Sequence, residues 1–470
     1  MRKARICLVV DNPLRDLEGM VLLGWTLARK GAEVFLVPMY HQVFEVAALR
    51  PDLVLVNYLR TNNKELVEAY SKCGILVGIL DTEGGIFSNV EEDFTNLVAG
   101  CEPSNVDLYC LWGRRQYDSF IEHDILPKEK LYITGCPRYD FCAEPWRSTL
   151  PCLGGNDEPI ILVNTRFSLI FPRFQRGLKD EINMMLKVGF KDPYVREYAR
   201  QCFLVWAEMI NVVADLAKSF SKAVFVVRPH PFENRKIYEQ IFKDIPNIKI
   251  IQEGTVLPWI NSSLLLIQRD CSTAVEASFL DVEPVSLGWI DAPMLNNEVI
   301  FTVSHHAKSR EHLFDIVENT LKGNSISPTL EMKKQRKQVV NDWFYAIDGK
   351  SSERVADAIL ETFERGANRH PEQNSAKILM YKASTKERLK NFVNFLGCRM
   401  LGIDKYDHLK SYILRKPRAI SKKFSLIDVQ TIVNRLSRVA SNSKVVSVES
   451  LKNEHTYLKM LARYSIRLSL

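Results

Sequence analysis

The sequence predicts an α/β chain made of two doubly wound parallel-sheet domains followed by a basic, mainly helical C-terminal tail. Three observations predict it. At 470 residues the chain is too long for one compact core, and with 46% hydrophobic and 25% charged residues it is too apolar to be disordered. Short β-branched runs alternate with helical periodicity through residues 1–143 and again from 159, the pattern of parallel strands joined by crossover helices. Beyond about residue 375 the alternation stops. There the charge changes sign: residues 371–470 hold 20 Lys plus Arg against 7 Asp plus Glu, whereas the first 370 hold 43 against 49.

The first domain, residues 1–143, has candidate strands at 5–10, 33–37, 53–57, 75–80, 108–112 and 131–134, with helical patterns at 20–30, 63–72 and 116–123. Six strands wound this way give a Rossmann-type sheet. Residues 144–158 carry Pro145, Pro151, Gly154-Gly155 and Asn156-Asp157 without periodicity and read as a linker. The second domain, 159–370, has candidate strands at 160–164, 223–227, 248–251, 264–268 and 284–287 and a long helix at about 195–220. Residues 344–365 return to helical periodicity and would close this domain or pack back on the first. Two such domains, each presenting loops at the carboxyl ends of its strands, imply a ligand cleft between them. In the tail, Leu389, Phe392, Val393, Leu396, Met400 and Ile403 are spaced as one helical face, and Ser425-x-x-Asp428 stands as a capping box ahead of Ile432, Val433, Leu436 and Val439.

Composition also excludes function classes. None of the ten cysteines stands in a Cys-x-x-Cys pair and several lie in apolar runs, which argues against a zinc ribbon or disulfide scaffold and fits a reducing compartment. Met1-Arg2-Lys3 is basic, but the apolar run behind it stops at Asp11-Asn12-Pro13, and no apolar stretch approaches the roughly 20 residues of a membrane span. A cytoplasmic protein is expected. There is no Gly-x-Gly-x-x-Gly after the first strand and no Gly-x4-Gly-Lys-Ser/Thr, so dinucleotide and P-loop readings are poor.

Three motifs fall at carboxyl ends of strands. Arg228-Pro229-His230-Pro231 follows a β-branched run; a cation and an imidazole on a proline-fixed turn suit phosphate, with a charge-assisted bond from Arg228 contributing roughly 1.5–3 kcal/mol when desolvated. The alternative is a rigid turn with a surface histidine. Arg269-Asp270-Cys271-Ser272-Thr273-Ala274-Val275-Glu276 opens a helix, so Ser272 and Thr273 offer donors where the helix dipole is positive; alone they would read as an ordinary N-cap, but paired with Arg228 and His230 they read as a phosphate site. Asp81-Thr82-Glu83-Gly84-Gly85 ends the fourth strand of the first domain, with two carboxylates for base or nucleophile chemistry and two glycines that allow close approach of a ligand. A metal cluster there is the lesser reading. Asp11, Asn12 and Arg15; Asn57 and Arg60; Asn164, Thr165 and Arg166; and Gly135, Pro137, Arg138 and Asp140 are further strand-end candidates. Of these Arg166 ranks first, since it would meet the same phosphate. His305-His306 lacks ligands at metal spacing and reads as loop.

The runs Val9-Val10-Asp11-Asn12-Pro13-Leu14-Arg15-Asp16, Ile79-Leu80-Asp81-Thr82-Glu83-Gly84-Gly85, Thr134-Gly135-Cys136-Pro137-Arg138-Tyr139-Asp140 and Arg228-Pro229-His230-Pro231 resemble the bacterial surface carbohydrate (surface polysaccharide) biosynthesis proteins over roughly residues 4–365. The resemblance implies a GT-B-like fold, two Rossmann-type domains facing across a cleft, and glycosyltransferase activity. More widely the chain is similar to the CMP-sugar-using sialyltransferases and Kdo transferases, whose pattern is an acidic-acidic-Gly motif, a His-Pro and a Ser/Ser-Thr pair. Carried over, Asp81 or Glu83 would be the catalytic carboxylate, His230 would act with it and contact the nucleotide phosphate, and Ser272 with Thr273 would hold the same phosphate; by their positions Arg166, Arg228 and Glu276 join the phosphate-binding set. Thr82 interrupts the acidic pair and leaves the choice of base open. Asp11, Asn12, Arg15, Gly84, Gly85 and Arg138 would line the acceptor side. Gly135-x-Pro137-Arg138-x-Asp140 and Asp270-x-Ser272-Thr273 also resemble CDP-glycerol glycerophosphotransferases, the runner-up.

The expected function is therefore transfer of a sugar, with a CMP-linked ulosonic acid as first choice of donor, to a surface polysaccharide or lipid-linked acceptor, with no metal or other cofactor. The tail is read first as an anchor to an anionic membrane surface at the inner face, next as a solvated helical face, and last as a nucleic-acid arm, since its aromatic residues lack regular spacing. The rivals are a UDP-sugar 2-epimerase and a non-catalytic assembly protein of the same fold.

Overall fold

The structure, a computed structural model, describes residues 3–82, 101–154, 158–187, 189–366, 368–369, 422–440, 445–451 and 464–470, with isolated positions 378, 393, 396, 400 and 401. It divides into two compact units. Unit 1 is Met1–Thr149 with Val340–Leu470, and unit 2 is Leu150–Val339. Each is a sheet with parallel strands and flanking helices, which together make the GT-B-like pair of Rossmann-type units that the sequence predicts.

In unit 1, strands β1 (Arg5–Val10), β2 (Glu33–Pro38), β3 (Leu53–Val56), β4 (Leu76–Leu80), β5 (Leu108–Leu111) and β6 (Leu131–Ile133) are all parallel. They form where expected because strands covered on both faces are continuous apolar runs; nearly every residue of β1 to β5 is buried. The sheet order is β2-β1-β3-β4-β5-β6, and beyond β2 it is extended by β14 (Ile466–Ser469) and β13 (Ser447–Ser450). After β2 the chain crosses to the other side of β1, so a switch point lies between β1 and β3. Helix α1 (Pro13–Arg29) starts with proline in its first turn and is capped by Asn12, whose side chain accepts from the Leu14 N–H. It buries Leu17, Met20, Val21, Leu22 and Trp25 and presses Gly19 so close to the 3-10 turn Pro137–Cys142 that a Cβ there would lie 2.7 Å from the Arg138 nitrogen.

Unit 2 has strands β7 (Ile160–Asn164), β8 (Val224–Arg228), β9 (Ile248–Ile250), β10 (Leu265–Gln268), β11 (Glu283–Leu287) and β12 (His305–Ala307), in the order β12-β11-β10-β7-β8-β9, all parallel. This is the doubly wound 3-2-1-4-5-6 order, with its switch point between β7 and β10. The long helix α2 (Asp192–Ser219) packs Val195, Ala199, Cys202, Val205, Met209, Val212, Val213 and Leu216 into the core.

Three expectations change. The second domain does not extend to residue 370: of the two placements open to residues 344–365, the structure takes the one on unit 1. Helix α3 (Ser351–Arg365) buries Val355, Ala356, Ala358 and Ile359, its first N–H groups donate to Asp140 (Ser351 N to Oδ1, 2.8 Å; Ser352 N to Oδ2, 2.7 Å), and Gly113 abuts the carbonyl of Asp342, where a Cβ would stand 2.5 Å away. The tail is not only helical. Its helix α4 (Leu426–Val439) carries both bonds of the Ser425/Asp428 capping box, and β13 (Ser447–Ser450) and β14 (Ile466–Ser469) then form a hairpin whose β14 runs antiparallel to β2. Buried Ile466 and Leu468 cover an edge that would otherwise expose the unpaired N–H and C=O groups of β2. His305-His306 is not loop but the edge strand β12, where His305 Nε2 lies 2.9 Å from Glu283 Oε2 and Arg336 bonds both oxygens of Glu283. Among the described residues no helix is long and apolar enough to cross a membrane.

Candidate functional site

The carboxyl ends of β7, β8 and β10 meet at the switch point of unit 2. Asn164 closes β7, opposite Arg228 in register, and its Nδ2 donates to Thr273 Oγ1 (2.8 Å), which lies 3.1 Å from Cys271 Sγ. Asn164 is buried, and its Oδ1 has no partner among the described residues. Arg166 donates to the Asp270 carboxylate and carbonyl and to Tyr198 Oη (3.1 Å), and keeps a third of its side chain exposed. Asp270, whose carboxyl is raised by burial, adopts φ +53° and also accepts from the Asn297 N–H (2.7 Å). That left-handed residue turns the chain out of β10 into the Ser-Thr pair. Ser272 is exposed and makes no capping hydrogen bond; Thr273 is half-buried, and Glu276 is buried one turn on.

His230 stands half-buried after β8. Its Nδ1 accepts from the Phe232 N–H (3.2 Å), so the ring proton of the neutral form sits on Nε2. Arg228 lies deeper than a phosphate ligand would require: it is 8% exposed, donates to the carbonyls of Glu253 (3.0 Å) and Gly254 (2.9 Å), and burial pushes its pKa down to about 10. It fixes the loop after β9.

Glu233 is the residue that sequence reasoning missed here. It is fully buried, and its two oxygens accept from Thr165 Oγ1 (2.7 Å), the Phe167 N–H (3.2 Å), the His230 N–H (3.1 Å) and the Tyr238 hydroxyl. Burial raises its pKa, and these four hydrogen bonds oppose the rise. One carboxylate thus fastens the loop after β7 to the His-Pro turn after β8. The one sequence signal was an acidic residue three positions past His230.

Beside the switch point of unit 1, Asp81 follows β4 and accepts from Arg60 Nη1 (2.6 Å). Asp11 follows β1 and pairs with Arg15 (3.1 Å) and with Lys422 from the tail, which also lies over the Tyr40 ring. Arg15 further bonds Asp16 (2.8 and 2.9 Å) and Thr82 Oγ1 (3.3 Å). Asn12 is the helix cap described above, and Arg138 stacks over Trp112 and Tyr139 with a nitrogen 4.0 Å from Asp16. The structure therefore brings together Asp11, Arg15, Arg138 and Asp81, and adds Lys422, which no sequence motif places here. Glu83, Gly84 and Gly85 lie outside the described residues.

The chain matches no protein-family model and no curated protein. It is similar to solved structures: the wall teichoic acid polymerase TagF (10% identity, 78% of this chain and 90% of that one, TM-score 0.49), MnaA from S. aureus solved with UDP (14%, 78% and 99%, 0.47), and UDP-GlcNAc 2-epimerase from Methanocaldococcus jannaschii in complex with UDP-GlcNAc and UDP (13%, 76% and 99%, 0.46).

Proposed function

We propose that this chain is a cytoplasmic glycosyltransferase that moves a sugar from a nucleotide-activated donor, a CMP-linked ulosonic acid as first choice, to a surface polysaccharide or lipid-linked acceptor. One observation carries the reading. At the unit 2 switch point, where doubly wound sheets bind ligands, three strand ends deliver Arg166, His230 and Thr273 on hydrogen-bonded loops, and beside Thr273 stands Ser272, exposed and with no capping work. An exposed hydroxyl, an imidazole and a part-exposed guanidinium are donors suited to the phosphate of a departing nucleotide. A divalent ion would then not be required. The carboxylate of Asp81 or Glu83 would take the proton of the acceptor hydroxyl, or attack the donor if configuration is retained.

The test is thermal melting with CMP, CDP, UDP and GDP in parallel, with and without magnesium. A nucleotide at about 100 times its Kd adds roughly 2.7 kcal/mol and raises the midpoint by several degrees. A shift with CMP that His230→Ala and Ser272→Ala/Thr273→Val abolish is the expected result. A CDP response points to polyol phosphate transfer and a UDP response to ordinary hexoses or an epimerase. Silence with every nucleotide sinks the transferase reading.

A further inference from the structure

Asn57 follows β3 at the switch point of unit 1. It is 2% exposed, and neither its Nδ2 nor its Oδ1 has a hydrogen-bond partner among the described residues. Its main chain is tied to a polar cluster: Thr82 donates its N–H (2.9 Å) and its hydroxyl (3.3 Å) to the Asn57 carbonyl, and Arg15 reaches the same Thr82 hydroxyl. A buried polar group without a partner destabilises the folded chain, and an apolar side chain of the same size would remove that cost. An amide kept here at a cost to folding stands where a doubly wound sheet meets its ligand.

The charges around it narrow the ligand. Lys422 and Arg15 face Asp11, Arg15 and Arg138 face Asp16, and Arg60 faces Asp81. Each carboxylate already has a cation, so the group left without a partner is neutral. A phosphate offers acceptors only; it would satisfy Nδ2, leave Oδ1 bare and add charge to a balanced set. A hydroxyl both donates and accepts, and two neighbouring hydroxyls would satisfy both amide atoms at once. Arg15 and Arg60, each with 27% of the side chain exposed, connect the cluster to solvent.

We propose that Asn57 is the recognition residue of a sugar site in unit 1 that takes an uncharged pyranoside through vicinal hydroxyls. The proposal rests on the transferase reading in one respect, that this sugar would be the acceptor.

The test is saturation-transfer NMR on the full chain with the methyl glycosides of glucose, galactose, mannose, rhamnose and N-acetylglucosamine, and with glucuronate and sn-glycerol 3-phosphate as charged arms. The expected result is a signal from at least one neutral glycoside that falls about tenfold in Asn57→Leu, while the Leu variant melts at or above the parent temperature. Asn57→Ala serves as second variant if leucine does not fold. No glycoside signal, an equal signal in the variants, or preference for the charged arms overturns the proposal. Nucleotide melting shifts report separately on the donor site. Glycoside binding without any nucleotide response would sink the transferase reading and leave the sugar site standing; nucleotide response without glycoside binding would do the reverse.

Discussion

Replacing Lys422 by methionine isolates what the C-terminal segment does for unit 1. Methionine keeps the unbranched stem and loses only the ammonium. Lys422 is 8% exposed and Asp11 2%, so the substitution leaves a carboxylate away from water with one of its two cations gone. Removing one partner of a buried ion pair costs about 3–5 kcal/mol. Arg15 remains 3.1 Å from the other oxygen of Asp11, which places the expected loss near the lower end, about 3 kcal/mol. Hydrogen exchange read by mass spectrometry resolves this by peptide: amides of β1, β2 and β14 should exchange about 100-fold faster, and those of unit 2 at the parent rate. Asp11→Asn combined with Lys422→Met removes both charges and should recover most of the loss. Exchange within threefold of the parent, or a double variant as damaged as the single one, would refute the reasoning.

Glu233→Gln sets an amide N–H among four donors; unit 2 should lose about 2 kcal/mol by urea titration and CMP should bind at least tenfold more weakly by calorimetry well below the melting point, whereas an unchanged Kd would reduce Glu233 to a packing role. Asn164→Leu removes an oxygen that has no partner together with the Nδ2 donor to Thr273, two effects of opposite sign, so the melting point should change little while nucleotide binding falls; loss of folding with intact binding would contradict this. Hydrogen bonds from Arg310 hold the Glu208 carboxyl below the usual carboxylate range against its partial burial, with Trp289 adding a third donor. A depressed folded-state pKa stabilises above the unfolded value and that contribution is lost as pH falls through the folded one, so Glu208→Gln should flatten the acid limb of the unit 2 stability profile below about pH 4.5 and leave its slope at pH 6–8 unchanged.

The strands of both sheets were legible because a parallel sheet covered on both faces needs unbroken apolar runs, as in 76–80 or 224–228. β12 was not, since His305-His306-Ala307 looks polar until Glu283 and Arg336 are beside it. β14 was hidden for another reason: Ile466 to Ser469 is four residues long, and its partner β2 lies at the far end of the chain. The site followed the same division. Motifs read locally put Arg166, His230, Ser272 and Thr273 at one switch point, but the burial of Arg228 and the bonding of Glu233 depend on residues of neighbouring loops. Asp140 is the plainest case. Its motif suggested a ligand contact, and in the fold it caps α3, 211 residues later.

Unit 1 is discontinuous, and that has a consequence for biogenesis. Arg467 of β14 bonds Glu33 across 434 residues, so a nascent chain leaving the ribosome carries an open β2 edge until β14 emerges. Unit 2 is contiguous and has all its strands long before then. Synthesis would therefore deliver a finished unit 2 attached to an unfinished unit 1, and premature termination after unit 2 would release a chain with a bare strand edge, a substrate for chaperones.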